Sequence, residues 1–132
     1  MLYMLDTNIV SYLLEKNQQV VKRFDEIFFQ NEVKILNVVH YEIQRGIFYS
    51  QSKKLQNDFE IFCKHIHVIP ITDADFMQAS QIYANLRRDG RLIEDADIFI
   101  GASALNNNAI LVTNNEEHFS RIAGLKIENW TK

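Results

Sequence analysis

The most constraining stretch of this chain is its first eight residues, Met1-Leu2-Tyr3-Met4-Leu5-Asp6-Thr7-Asn8. An unbroken apolar run of this length, closed by polar residues, marks a short buried strand. A carboxylate follows at once. Thr7 and Asn8 then offer helix-capping side chains ahead of a new apolar pattern at Ile9-Val10. The reading is a central parallel strand ending in Asp6, with a helix opening just beyond. Ligands of open α/β sheets bind outside the carboxyl ends of the strands. Asp6 therefore has two readings here: a group facing that crevice, or simply the cap of the next helix.

The rest of the chain repeats this alternation. Apolar residues recur at helical spacing over 8–15, 18–29, 52–64 and 95–106. Asn37 is placed to cap a helix that carries Val38, Val39, Tyr41, Glu42, Ile43 and Ile47. Thr72 followed by Asp75 resembles a capping box, and the helix it opens closes near Gly90. Short apolar runs at 33–36, 67–71, 110–113 and 126–128 read as strands. Strands alternating with helices predict a parallel sheet between helical layers. Two helices precede the second strand and two more precede the third, longer than a minimal crossover, so these pairs are expected to project as a clamp.

Composition narrows the function classes. The 132 residues suffice for one domain with one core, and no linker or repeat divides them. A formal net charge of −3 argues against broad wrapping of nucleic acid, while leaving room for a local basic patch. The lone Cys63 excludes a disulfide framework and a cysteine-based zinc site, which fits a reducing, intracellular setting. No secretory signal or membrane-spanning apolar run is expected.

Carboxylates carry the chemistry. The helix from Asp95 is apolar on several faces, so Asp97 in its first turn is expected near the interior. There the helix dipole and a metal ion could both offset the cost of its charge; the alternative is a solvated first-turn Asp. Glu94 and Asp95 precede the apolar run and read as solvated. Glu42 falls on the inward face of its helix, either as a ligand or paired with Arg45. Thr113-Asn114-Asn115 ends a buried strand on the edge where Asp6 should lie. Asn115 reads as the cap of a short helix, or with Thr113 as a partner of a metal-bound water or a phosphate oxygen. Converging carboxylates without cysteine suit a hard cation such as Mg²⁺ or Mn²⁺. His65 and His67 have a metal or pH-switch reading beside a surface one. His40-Tyr41-Glu42 imitates a zinc-deaminase H-x-E, but the P-C-x-x-C is missing. Arg87, Arg88 and Arg91 read as a solvated face or as contacts to an RNA backbone. The aromatics Phe24, Phe28, Phe29, Phe48, Tyr49, Phe59 and Phe62 read as core, or as a groove for a partner helix.

Together these motifs resemble the PIN-domain family, and within it the VapC ribonuclease toxins of bacterial toxin–antitoxin pairs. Met4-Leu5-Asp6-Thr7-Asn8 resembles the family's N-terminal LDTN, and Glu42 with Gly46 its E-x-x-x-G. Ile93 to Ala102 resembles I-P-x-x-D-x-x-I-A-A, with Asp97 at the third acid. Leu111 to Asn115 resembles LVT-x-D/N, and Gly124 to Trp130 the usual end. The order and spacing of these motifs extend over essentially the whole chain. The resemblance implies a single domain over 1–132, a three-layer α/β/α sandwich with a mostly parallel sheet, and a Mg²⁺-dependent endoribonuclease. Asp6, Glu42 and Asp97 would form the acidic metal cluster, with Asn115 at a fourth catalytic position and Thr7 and Thr113 in support. Glu94 replaces the usual Pro. Asn115 stands where many relatives have Asp, so RNA phosphate would have to complete the shell of a second metal. The resemblance further implies a cytoplasmic homodimer that inhibits translation by cutting structured RNA such as tRNA. A VapB-type antitoxin would lie along the clamp and push a basic side chain toward the acids. Two other readings stay open: a non-catalytic RNA- or protein-binding module, and a structure-specific DNA nuclease.

Overall fold

The computed structural model describes residues 1–132. Five strands, β1 (Leu2–Leu5), β2 (Glu32–Leu36), β3 (His67–Ile69), β4 (Ile110–Val112) and β5 (Lys126–Glu128), form one sheet in the order β3-β2-β1-β4-β5. All four pairings are parallel, with Tyr3 beside both Val33 and Ile110. Seven helices connect them: α1 (Thr7–Leu14), α2 (Gln18–Phe28), α3 (Asn37–Ser50), α4 (Lys53–His65), α5 (Asp73–Arg88), α6 (Asp95–Asn106) and α7 (Glu116–Phe119).

The chain steps outward from β1 to β2 to β3, then returns across the sheet to β4 and β5. Right-handed crossovers therefore put α1–α4 on one face and α5–α7 on the other. This gives the three-layer α/β/α sandwich, with a sheet that is wholly parallel. The strand order reverses between β1 and β4, so the crevice of the fold opens beside the end of β1. Met4, Leu5, Ile35, Leu36, Leu111 and Val112 are almost completely buried, as central strands covered on both faces require. The Asp6 N–H donates to the Val112 carbonyl at 2.9 Å, which pins the end of β1 to β4.

Local chemistry explains most boundaries. Asn17, Ser52 and Thr72 cap α2, α4 and α5, and Thr72 and Asp75 complete the expected capping box. Asp75 also accepts from the Asn106 amide at 2.9 Å, so the start of α5 meets the end of α6 and the two run antiparallel. Three cap assignments are corrected. The cap of α1 is Asp6, not Thr7 or Asn8. Asn37 lies inside α3, after Leu36, and its Oδ1 accepts from the Ile71 N–H at 3.1 Å, tying α3 to the chain beyond β3. Asn115 occupies the cap position of α7 without capping it; its amide meets His118 instead. The side chains of Thr7, Asn8 and Asn37 instead meet partners distant in sequence, and the Asn115 amide meets His118 one turn on.

The paired helices α1–α2 and α3–α4 make up the expected clamp. Between α1, α2 and α4 runs an open groove of about 830 Å³, lined by Leu13, Leu14, Val21, Phe24, Ile61 and Phe62. Phe59 is core, Phe24, Phe28 and Phe62 are half-buried against it, and Phe29, Phe48 and Tyr49 are exposed. No helix is long and apolar enough to cross a membrane.

Candidate active site

Asp6 sits at the carboxyl end of the central strand and is only 4% exposed. Both readings of it hold. Oδ1 accepts from the Thr7 N–H at 2.8 Å as a helix cap, and Oδ2 accepts from the Thr113 hydroxyl at 2.7 Å. Thr113 is fully buried at the end of β4, where its Oγ1 also accepts from the Asn115 N–H at 2.9 Å. All partners of Asp6 are neutral. Burial pushes its carboxyl up to about 6, against the pull of the Thr113 and Thr7 hydrogen bonds, and the charges of Asp97 and Glu42 push the same way.

Glu42 comes from α3. Its Oε1 accepts from the Thr7 hydroxyl at 2.6 Å, so Thr7 bridges two carboxylates: its N–H goes to Asp6 and its O–H to Glu42. The Arg45 guanidinium lies 3.5 Å from Glu42 Oε2, a half-exposed contact, and stacks on the Tyr41 ring at 5.1 Å. Arg45 thus pairs with Glu42 without neutralising Asp6. Asp97 projects from the first turn of α6. Burial raises its carboxyl, His118 lowers it, and the charges of Glu42 and Glu94 raise it further. The Glu94 that replaces a helix-start Pro therefore adds to the negative field of the site.

Asp6, Glu42 and Asp97 thus feel one another's charge across a single sheet edge. Their oxygens are held by Thr113, Thr7 and His118, and no three His, Cys, Asp or Glu side chains form a ready-made ligand cluster. The donor chemistry nonetheless fits a hard divalent cation: oxygen ligands, two of the three carboxyls raised by burial and like charge, and no cationic partner on Asp6. A cation would relieve what the neutral hydrogen bonds leave uncompensated.

One neighbour escaped sequence reasoning. His118 of α7 places Nδ1 3.4 Å from Asp97 Oδ2 and 2.8 Å from Asn115 Nδ2. The only signal was the i,i+3 spacing of Asn115 and His118 just past a strand end, which a four-residue helix makes faint. Asn115 reaches Asp97 only through this ring. Asn8, Asn114 and Tyr12 link side chain to side chain, fastening the 113–115 turn to α1. Arg87 and Arg88 are exposed and bond within α5, to Tyr83 and Asn85, and Arg91 is exposed beyond it; none touches the acids. His65 and His67 are exposed away from the carboxylates, at the end of α4 and on edge strand β3. Trp130 packs on Tyr3 and donates to Glu128, which also accepts from Arg23, so the terminal Asn129-Trp130 segment locks the sheet.

A parallel sheet with acidic side chains from three elements at its switch point defines an α/β protein suited to holding a cation against an anionic ligand. The PIN domain profile matches residues 3–125, and the chain belongs to the PIN-domain family. It is 33% identical to Ribonuclease VapC2 of Rickettsia felis over the whole of both chains. It is also 33% identical to the tRNA(fMet)-specific endonuclease VapC of Shigella flexneri, over 98% of each. The solved structure of VapBC2 from Rickettsia felis bound to a DNA fragment from their promoter is similar throughout, with a TM-score of 0.90 and 31% identity, covering 98% of this chain and 99% of that one.

Proposed function

We propose that this chain is a toxin-type endoribonuclease that hydrolyses RNA phosphodiester bonds with Mg²⁺ held by Asp6, Glu42 and Asp97. The observation behind this reading is the mutual charge of those carboxylates at the switch point, with only neutral partners on Asp6. A bound divalent ion would supply Lewis acidity at the phosphate and a water nucleophile at neutral pH. The protein's part is orientation. Thr113 and the Thr7 N–H aim the two oxygens of Asp6, and the Thr7 hydroxyl aims Glu42. Asn115 stands at the fourth position. Arg87, Arg88 and Arg91 offer exposed phosphate contacts.

The Shigella flexneri relative's name supports a structured RNA such as tRNA as substrate, in which loop bases are open to recognition. The VapBC2 complex supports a VapB-type antitoxin as partner. The apolar groove between α1, α2 and α4 would receive part of that antitoxin, and a homodimer acting in the cytoplasm on translation completes the reading.

The test is cleavage of total cellular RNA by purified protein, with cut sites mapped by sequencing. Cleavage should require Mg²⁺ and vanish in Asp6→Asn and Asp97→Asn, both folded by circular dichroism. Undiminished cutting by either variant would overturn the assignment. Preferential cutting of single-stranded or structured DNA in the same preparation would move it to the DNA nuclease.

A further inference from the structure

We infer that the cavity between α3 and α6 receives one unpaired guanosine of the RNA beside the scissile phosphate, and that Glu94 selects it. This rests on the ribonuclease reading above and adds the base that the site recognises and the residues that recognise it.

The cavity holds about 550 Å³, within the size range of small-ligand sites, and Glu42 forms part of its wall. It therefore opens from the acid cluster, and a base seated in it belongs to a nucleotide next to the bond being cut. On the α3 side stands Tyr41, 60% exposed, with the Arg45 guanidinium 5.1 Å from its ring centre. On the α6 side stands Phe99, half-buried and held edge-on by Phe76 with ring centres 5.4 Å apart. Splayed RNA bases stack on aromatic faces and guanidinium planes of this kind. Arg45 is the only cation in the lining. Its contact to Glu42 engages Nη2 at 3.5 Å, which leaves most of its five donors for a phosphate. Charge thus orients the nucleotide, with its phosphate at Arg45 and its base toward α6.

The polar groups waiting at the start of α6 are Glu94 and Asp95, which as carboxylates only accept. Glu94 occupies the N-cap position without capping the helix, so its oxygens are not spent on backbone N–H groups. Two carboxylate oxygens match two donors side by side. Guanine alone offers that on its Watson–Crick edge, with N1–H next to N2–H. Adenine and cytosine set an amino group beside an acceptor nitrogen that a carboxylate repels, and uracil flanks its one N–H with carbonyls. Glu94 is also where this chain departs from the Pro of the family motif. A Pro side chain accepts nothing, so the preference for guanine belongs to this chain's own residue.

The experiment is titration of the isotope-labelled protein in Mg²⁺ with the 3′,5′-bisphosphates of guanosine, adenosine, cytidine and uridine, followed by amide shifts. Shifts should centre on Tyr41, Arg45, Glu94 and Phe99, and the guanosine compound should bind at least about fivefold more tightly than the others. Glu94→Gln should bring the four to within about twofold of one another. Tyr41→Ala should weaken all four by about fivefold or more, and Tyr41→Phe should restore them. Arg45→Gln should weaken all four and keep the guanine preference. In cellular RNA, cuts by wild type should fall beside guanine, and those by Glu94→Gln should spread to other bases. Equal affinities in wild type, shifts elsewhere than this cavity, or an undiminished guanine preference in Glu94→Gln overturns the inference. Mg²⁺-dependent cleavage lost in Asp6→Asn would still stand in that event. Guanosine bisphosphate bound here by a protein that cuts no RNA would instead sink the ribonuclease reading. Glu94, Tyr41 and Arg45 are exposed, so the variants should melt with wild type, which excludes a folding artefact.

Discussion

Replacing Asp6 by Asn should remove activity and stabilise the metal-free protein at neutral pH. Burial lifts the Asp6 carboxyl from 3.8 to about 6. That difference corresponds to ~3 kcal/mol in favour of the protonated form in the folded chain. Between these two values the native state binds more protons than the unfolded one. The contribution of Asp6 to stability is therefore fully present below 3.8 and lost as pH rises through about 6. Asp97 is displaced in the same direction and adds to the slope. Asn removes the charge at a price: one oxygen that accepted from Thr7 or Thr113 becomes an N–H₂ donor, costing about 1 kcal/mol. The net gain at pH 8 is ~2 kcal/mol, or a rise of about 6–10 °C in Tm for a chain of this size. Near pH 4 the gain disappears and the variant should be less stable than wild type by about 1 kcal/mol. The assay is urea denaturation of both proteins from pH 4 to 8 in chelator, followed by a Mg²⁺ titration. Mg²⁺ should restore wild-type stability by ~2.7 kcal/mol at a hundred times its Kd and leave Asp6→Asn unmoved. A difference between the proteins that does not change with pH, or a variant weaker at pH 8, would refute the reasoning.

Thr113→Val strips Asp6 Oδ2 and the Asn115 N–H of their shared partner in a buried place; a loss of about 1–3 kcal/mol is expected by chemical denaturation. Thr7→Val keeps the backbone donor to Asp6 but frees Glu42, so RNA cleavage should fall by about tenfold or more while stability changes by less than ~1 kcal/mol; equal losses in both would show a purely structural role. Asn37→Ala should speed amide exchange at Ile71 and cost ~0.5–1 kcal/mol without altering the Mg²⁺ dependence of cleavage.

What was legible in the sequence follows the range of the forces. Hydrophobic periodicity is local, so the Asp95–Asn106 helix and the Lys126–Glu128 strand match their predicted limits. Thr72 and Asp75 satisfy each other three residues apart, and their capping box is present as read. Asn37 and Asn115 look like caps by the same local rule, but each has a better partner that folding brings in: the Ile71 N–H across from β3, and the His118 ring. The order of the strands explains why three acids spread over ninety-odd residues share an edge, and alternation alone gives no such order. His118 stayed hidden because one turn of helix has no periodicity to read, and its approach to Asp97 depends on how α7 folds back toward α6.

The same uncompensated charge should link metal and antitoxin. Asp6 is stabilised by fixed dipoles, the N–H at the start of α1 and the Thr113 hydroxyl, yet never neutralised. Replacing that arrangement with a buried cationic side chain would favour the fold and leave no place for an ion. A basic side chain offered by an antitoxin would relieve the charge in the way a metal does, so the two ligands draw on one free energy and must oppose each other. Antitoxin affinity measured by calorimetry should therefore fall as Mg²⁺ rises. Mg²⁺ affinity should fall by the same factor in the complex. In Asp6→Asn the opposition should shrink, because less charge remains to compete for. Equal antitoxin Kd values in chelator and in saturating Mg²⁺ would show that the partner silences the enzyme from the α1–α2–α4 groove alone, without reaching the carboxylates.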